Sequence, residues 1–235
     1  MIEIIGLQKQ FNKNRVLSEL DLTIDNKGIF AILGPNGSGK TTLIKTILGM
    51  VIADKGIINV LGNNVRESWE YRKEIDYLPQ IANFPSNLKV KELIHMIKDL
   101  RESTHKDRDL IERFALEPFL DKKLGNLSGG TKQKVNIVLA FMFDSPILIL
   151  DEPTTGLDPI SLIQLKELIN EEKEKGKLIL ITSHIMSFVE EIADEIVFLL
   201  EGNIYFKGSI QLLKSETKQN DLEHAIAVMM EESHV

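Results

Sequence analysis

The sequence predicts an α/β fold: a parallel sheet covered by helices, preceded by an antiparallel β edge and interrupted by an inserted helical segment. Three observations predict it. Residues 29–33, 147–150 and 178–182 are short runs, apolar except for Thr182, as expected of parallel strands covered on both faces. Each run ends in a glycine-rich or polar turn with a helix-forming stretch beyond it. From Asn87 the apolar spacing changes to a helical one, in Val90, Leu93, Ile94, Ile97 and Leu100.

Residues 2–5 and 20–24 read as two short strands of the antiparallel edge, joined by a polar segment over residues 8–15. Phe11 lies in that segment. An aromatic there could stack on a planar base with Val16 packed beside it, or Phe11 could be an ordinary core contact. The run 29–33 enters Gly34-Pro35-Asn36-Gly37-Ser38-Gly39-Lys40-Thr41, and residues 42–48 leave it as a helix closed by Gly49. Glycine, four free positions, then Gly-Lys-Thr is the phosphate-loop pattern, and each residue type has a physical task. The glycines admit positive φ and let backbone N–H groups approach phosphate oxygens. Lys40 supplies a point charge, Thr41 a hydroxyl for Mg²⁺, and the helix aims its positive dipole end at the same anion. Strand before and helix after favour nucleotide binding over a chance glycine-rich turn.

Residues 57–60 read as a further strand with a turn at residues 62–64, and Trp69 and Tyr71 as packing residues. The strand 75–78 ends at Pro79, which halts the ladder and presents Gln80; such a residue acquires a role only if its strand lies beside the phosphate loop. Asn87 is a candidate cap for the first helix of the insertion, and residues 107–116 form a second. Leu127-Ser128-Gly129-Gly130 opens another, with an apolar stripe of Val135, Val138, Leu139 and Met142; its start is either an ordinary cap or a second anion site. The run 147–150 ends in Asp151 and Glu152, two acids at the carboxyl edge of a buried strand, where α/β sheets place ligands. Beside a phosphate loop they read as a Mg²⁺ site. Pro159 then starts a helix over residues 160–175, ended by Gly176. The strand 178–182 delivers Ser183 and His184 to the same kind of edge, which assigns His184 a catalytic role. Residues 196–200 and 204–206 form a hairpin, and Leu222, Ile226, Met229 and Met230 give the tail a packing face. His95, His105, His224 and His234 lack ligand-like spacing.

Composition bounds the function classes. The 235 residues, 43% hydrophobic, suffice for one domain with a sizeable core. A net charge of -7 argues against a nucleic-acid partner, which calls for a basic stripe. No apolar run reaches the length of a membrane span; the longest, residues 137–143, reads as buried helix. The first residues carry no basic, apolar, cleavable pattern, so no secretory signal is expected. The absence of cysteine excludes thiol chemistry and fits a cytoplasmic protein.

With these motifs in this order, the sequence closely resembles, over nearly its whole length, the nucleotide-binding subunit of ATP-binding cassette (ABC) transporters. The resemblance implies a P-loop NTPase of RecA-like core, in which residues 1–85 and 144–208 form the catalytic core and β edge. Residues 86–143 are then the helical subdomain and residues 209–235 a helical tail. It implies that residues 34–42, through Thr42, hold the phosphates of ATP, that Phe11 is the adenine-stacking position, and that Gln80 reaches Mg²⁺ and the attacking water. Leu127, Ser128, Gly129 and Gly130 are similar to the family signature, which contacts the γ-phosphate held by a second subunit. Asp151 matches the Mg²⁺-coordinating acid, Glu152 the catalytic carboxylate, Asp158 an inter-subunit contact and His184 the γ-phosphate switch.

The implied cofactors are therefore ATP and Mg²⁺. The implied partners are a second cassette, as a homodimer, and a separate membrane-spanning permease that holds the pair at the inner face of the membrane. Thr131 and Lys134 depart from the Gln and Arg frequent in the family, which puts local inter-subunit contacts in question. Phe11 stands where many relatives have Tyr, keeping the stack and dropping a hydroxyl. The residues after the signature, the brief insertion and the short tail resemble exporter-type cassettes. Residues 181–186 and 198–202 are similar to the ATPase of the nitrous oxide reductase maturation transporter. The alternative expectation is a soluble cassette ATPase of an assembly complex, such as iron–sulfur or metal-site maturation.

Overall fold

The computed structural model describes residues 1–25, 27–81, 83–101 and 105–232; His234 lies outside them. The chain forms two compact units, one of Met1–Arg72 with Leu178–Val235, the other of Lys73–Lys177. In chain order the first unit supplies β1 (Ile2–Phe11), β2 (Asn14–Ile24), β3 (Gly28–Leu33), α1 (Lys40–Ile47), β4 (Lys55–Val60) and β5 (Asn63–Asn64). The second supplies β6 (Ile75–Leu78), α2 (Val90–Arg101), α3 (Asp107–Arg113), α4 (Gly129–Phe141), β7 (Ile147–Asp151) and α5 (Pro159–Glu174). The first then resumes with β8 (Leu178–Thr182), α6 (Met186–Ile192), β9 (Glu195–Leu200), β10 (Asn203–Ser209), α7 (Ile210–Thr217) and α8 (Leu222–Glu232).

In the first unit β3 is flanked by β8 and β9, both parallel to it, and β10 pairs antiparallel with β9. All six residues of β3 and all five of β8 are buried, which accounts for their near-continuous apolar sequence, broken only by Thr182. A second, antiparallel sheet runs β2-β1-β4-β5. In the second unit β6 pairs parallel with β7, itself buried throughout. The expected α/β class, parallel strands, antiparallel edge and helical insertion are all present.

Several expectations about extent are corrected. The edge strands are not short pieces joined by a loop: β1 and β2 form one long hairpin turning at residues 12–13. Its register shifts between Ile4 and Leu7 and again beyond Leu7, and Gly6 and Glu19 hold positive φ angles. These irregularities break the two-residue alternation by which strands are recognised. Tyr71 packs as expected, its hydroxyl donating to the Ile47 carbonyl at 3.1 Å, but Trp69 is 63% exposed. Asn87 does not cap α2; the helix begins at Val90, and the Lys89 N–H donates to the Glu92 carboxylate at 2.9 Å. Leu100, assigned to the apolar face of α2, is exposed. The second insertion helix stops at Arg113 because Ala115 turns left-handed. α4 is buried on more than a stripe, with Ile137 and Ala140 as covered as Val135 and Val138. Among the described residues no helix is long and apolar enough to cross a membrane.

Phe198, on β9, is fully buried, so Phe198→Ala should cost about 3–5 kcal/mol, read as a lowered midpoint in equilibrium denaturation. Asp158 caps α5, accepting from the Ser161 N–H and hydroxyl at 2.9 Å each, and Lys134 Nζ lies 2.8 Å from the same carboxylate. Lys134 first, then Ser161, hold its pKa well below the ordinary 3.8. Because the folded value is the lower one, this stabilisation is present above about pH 4 and lost as pH falls through the folded value. Asp158→Ala should cost about 1 kcal/mol at neutral pH and remove that part of the acid slope, as urea titrations across pH would report.

Candidate functional site

In the first unit the buried strand β3 delivers Gly34 to the phosphate loop, and α1 begins at Lys40 with Gly39 as its cap. The loop is wound so tightly that two positions accept only glycine. A Cβ on Gly34, at φ 150°, would stand 2.0 Å from the Leu199 carbonyl oxygen. On Gly39, at φ 107°, it would stand 2.8 Å from that of Val16. Gly37 instead faces open space, and Pro35 and Asn36 lie beside it on the more exposed rim. Lys40 Nζ donates to the carbonyls of Gly34 at 2.7 Å and Pro35 at 3.0 Å, so its charge is held at the loop by the loop's own backbone. The Ser38 hydroxyl is buried with no hydrogen-bond partner among the described residues, and Thr41 and Thr42 are half-buried in the first turn of α1.

The same unit holds three more of the expected residues, of which Val16 lies against this loop. Val16 is there by its backbone, since its carbonyl limits both Gly39 and Gly202, while Ser18 N–H donates to Gly202 at 2.9 Å. Phe11, 46% exposed at the hairpin end, carries the Lys9 ammonium 5.0 Å from its ring centroid. His184 follows β8, whose Thr182 pairs with Ile32 of β3; His184 and Gly34 are thus each two residues past one paired rung, at one carboxyl edge. His184 is exposed there, and α6 starts two residues on.

In the second unit Leu78 pairs with Leu150, so Gln80 and Glu152 likewise stand two residues past one rung. Asp151 and Glu152 are 2% and 7% exposed, and Glu152 holds the left-handed φ of 51°. Burial pushes the neighbouring Tyr77 phenol up to about 12, and the charge of Asp151 adds to the rise. Ser128 caps α4, its hydroxyl accepting from Thr131 N–H at 3.2 Å, and both Ser128 and Gly129 are exposed. Leu127 is buried, and a Cβ on Gly130 would stand 2.6 Å from the Gly156 carbonyl.

Sequence reasoning missed two residues of this region. Gln133 Nε2 donates to the Pro153 carbonyl and Asn136 Nδ2 to that of Pro79, both at 2.9 Å. The available signal was slight: Asn136 is a polar residue within the apolar run 135–141, whereas Gln133 stands between two lysines. It also treated Lys134 and Asp158 separately, whereas they form an ion pair.

Chemically, the first unit offers an anion cradle and a lysine, the second two buried acids and a polar strand end. Among the described residues no three His, Cys, Asp or Glu side chains cluster as a metal site. Thr41 in the first unit, and Gln80 and Asp151 in the second, each offer hard oxygen, the donor type that suits Mg²⁺ rather than a transition metal.

A sequence profile described as "ABC transporter" matches residues 17–155. The chain is 35% identical to the Nod factor export ATP-binding protein I of Rhizobium sp. (strain N33), over 92% of this chain and 73% of that protein. It is 30% identical to the ABC transporter ATP-binding protein NatA of Bacillus subtilis (strain 168), over 95% and 96%. Among solved structures, an ATP-binding subunit of an ABC transporter matches with a TM-score of 0.91 at 29% identity, covering 98% of this chain and 99% of that one. A dimeric bacterial ABC transporter cassette shares the fold, with a TM-score of 0.81 at 21% identity over 89% and 98%. With the phosphate loop, the strand-end acids and these likenesses in agreement, the chain belongs to the ABC transporter family, as an ATP-binding subunit that hydrolyses ATP.

Proposed function

We propose that two copies of this chain clasp ATP between them and that its hydrolysis drives export through a separate membrane-spanning subunit. The observation that supports the clasp is the exposure of Ser128 and Gly129: the start of the signature helix is capped locally and left uncovered. Export rests on the relatives named as export ATP-binding proteins. It would place the pair on the cytoplasmic face of the membrane, held there by that subunit.

Phosphoryl transfer asks little covalent work of the protein, so positioning and charge neutralisation carry the acceleration. In this reading residues 34–42 hold the phosphates and Phe11 stacks on the adenine, with Val16 shaping the edge of that pocket. Lys40, already drawn to the loop mouth by two carbonyls, exchanges part of that bonding for β- and γ-phosphate oxygens. Thr41, Gln80 and Asp151 would hold Mg²⁺, which when bound neutralises phosphate charge. Glu152 polarises the attacking water, a role worth about 10²- to 10⁴-fold, or roughly 3–5 kcal/mol of barrier. His184 holds that water and the γ-phosphate in line. Ser128, Gly129 and Gly130 of the second copy complete the cage, with Leu127 anchoring them and Asp158 meeting the partner nearby. Loss of the γ-phosphate removes what joins the copies.

Glu152→Gln should keep ATP affinity within about twofold while turnover falls on the order of 10²-fold or more, measured by nucleotide binding and phosphate release. Near-normal turnover would refute the assignment. Lys40→Ala should instead abolish ATP binding, since the loop would lose its only side-chain cation.

A further inference from the structure

Two amides of α4 reach backbone on both sides of the second unit's strand edge. Asn136, 2% exposed, donates to the carbonyl of Pro79, the residue before Gln80. Gln133, 6% exposed, donates to the carbonyl of Pro153, the residue after Glu152. Three positions apart, they lie on one face of the helix, within a single turn. A buried amide is costly unless paired, so these bonds fix distances rather than decorate a surface. At the helix start Gly130 abuts the Gly156 carbonyl so closely that a Cβ would stand 2.6 Å from it. The helix that carries Ser128 is thus tied to the Gln80 arm, to the Glu152 turn and to the loop that leads to Asp158.

We propose that Asn136 and Gln133 are positioning residues that make α4 a rigid link between the two ATP sites of a clasped pair. The inference rests on the proposed clasp. In that arrangement Ser128 serves the nucleotide of the other copy, whereas Gln80 and Glu152 serve the nucleotide of their own. Because α4 is bonded to both arms, occupancy sensed at Gln80 or Glu152 moves Ser128 with it, and engagement of Ser128 sets the two arms in return. Neither amide touches nucleotide. Their removal weakens communication between sites and leaves the phosphate loop unaltered.

The test uses the full chain carrying Glu152→Gln, with Asn136→Ala or Gln133→Ala added, and ATP as the probe. Sedimentation should show Glu152→Gln dimerising with ATP, and each added substitution should raise the ATP concentration at half-dimerisation by about 5- to 30-fold. Fluorescent-nucleotide binding at protein concentrations below dimerisation should stay within about twofold. With Glu152 intact, both alanine variants should lower kcat more than they raise KM, and the Hill coefficient for ATP should fall towards one. Unchanged half-dimerisation and Hill coefficient would overturn the link and leave the clasp standing. A Glu152→Gln chain that stays monomeric at saturating ATP would overturn the clasp, and the link with it. If Asn136→Ala unfolds, Asn136→Ser, too short to reach the Pro79 carbonyl, carries the same measurements.

Discussion

Backbone crowding around the phosphate loop is the constraint on which the first unit depends. The carbonyl of Leu199 at the end of β9 and that of Val16 on β2 close on Gly34 and Gly39 to distances no side chain tolerates. Their spacing fixes where the loop turns, and therefore where α1 begins and where Lys40 stands. The same crowding binds three otherwise separate pieces: the antiparallel hairpin, the β9–β10 turn and the loop. Gly202 takes part from both sides, accepting from Ser18 and donating to the Ser38 carbonyl at 3.2 Å. An anion cradle is thus built chiefly from main chain, whose geometry varies less than that of mobile side chains.

The second unit solves a different problem, that of keeping two carboxylates nearly out of water at the end of an apolar strand. β7 brings Asp151 and Glu152 to an edge where β6 presents Gln80, and α4 buttresses the turns on either side. The turns beside these residues are tied by the side-chain amides of α4 to the backbone carbonyls of Pro79 and Pro153. The ion pair of Lys134 with Asp158 is partly exposed, and the cap that Asp158 provides to α5 matters more for stability than the pair does.

What the sequence made legible follows from which physical signals are local. Residues 29–33, 147–150 and 178–182 announce themselves because covered parallel strands need no polar alternation. The glycines of the loop and the acids at the end of β7 were readable from residue type and strand context alone. The long hairpin was not, since Gly6 and Glu19 adopt positive φ and shift the register, scrambling the pattern of β1 and β2. Gln133 and Asn136 were missed for a similar reason: polar residues in a helix ordinarily face solvent, and only tertiary contact reveals that these face carbonyls. Trp69 failed in the opposite direction, an aromatic expected inside that stands outside.

The left-handed backbone at Glu152 has a consequence for how such a chain evolves. A residue with a branched-off side chain spends roughly 1 kcal/mol or more to remain at φ 51°, a strain that glycine or asparagine would relieve. Under the role proposed for Glu152, selection for robustness and selection for turnover pull this position in opposite directions, and a copy freed from hydrolysis would drift towards the relaxed residue.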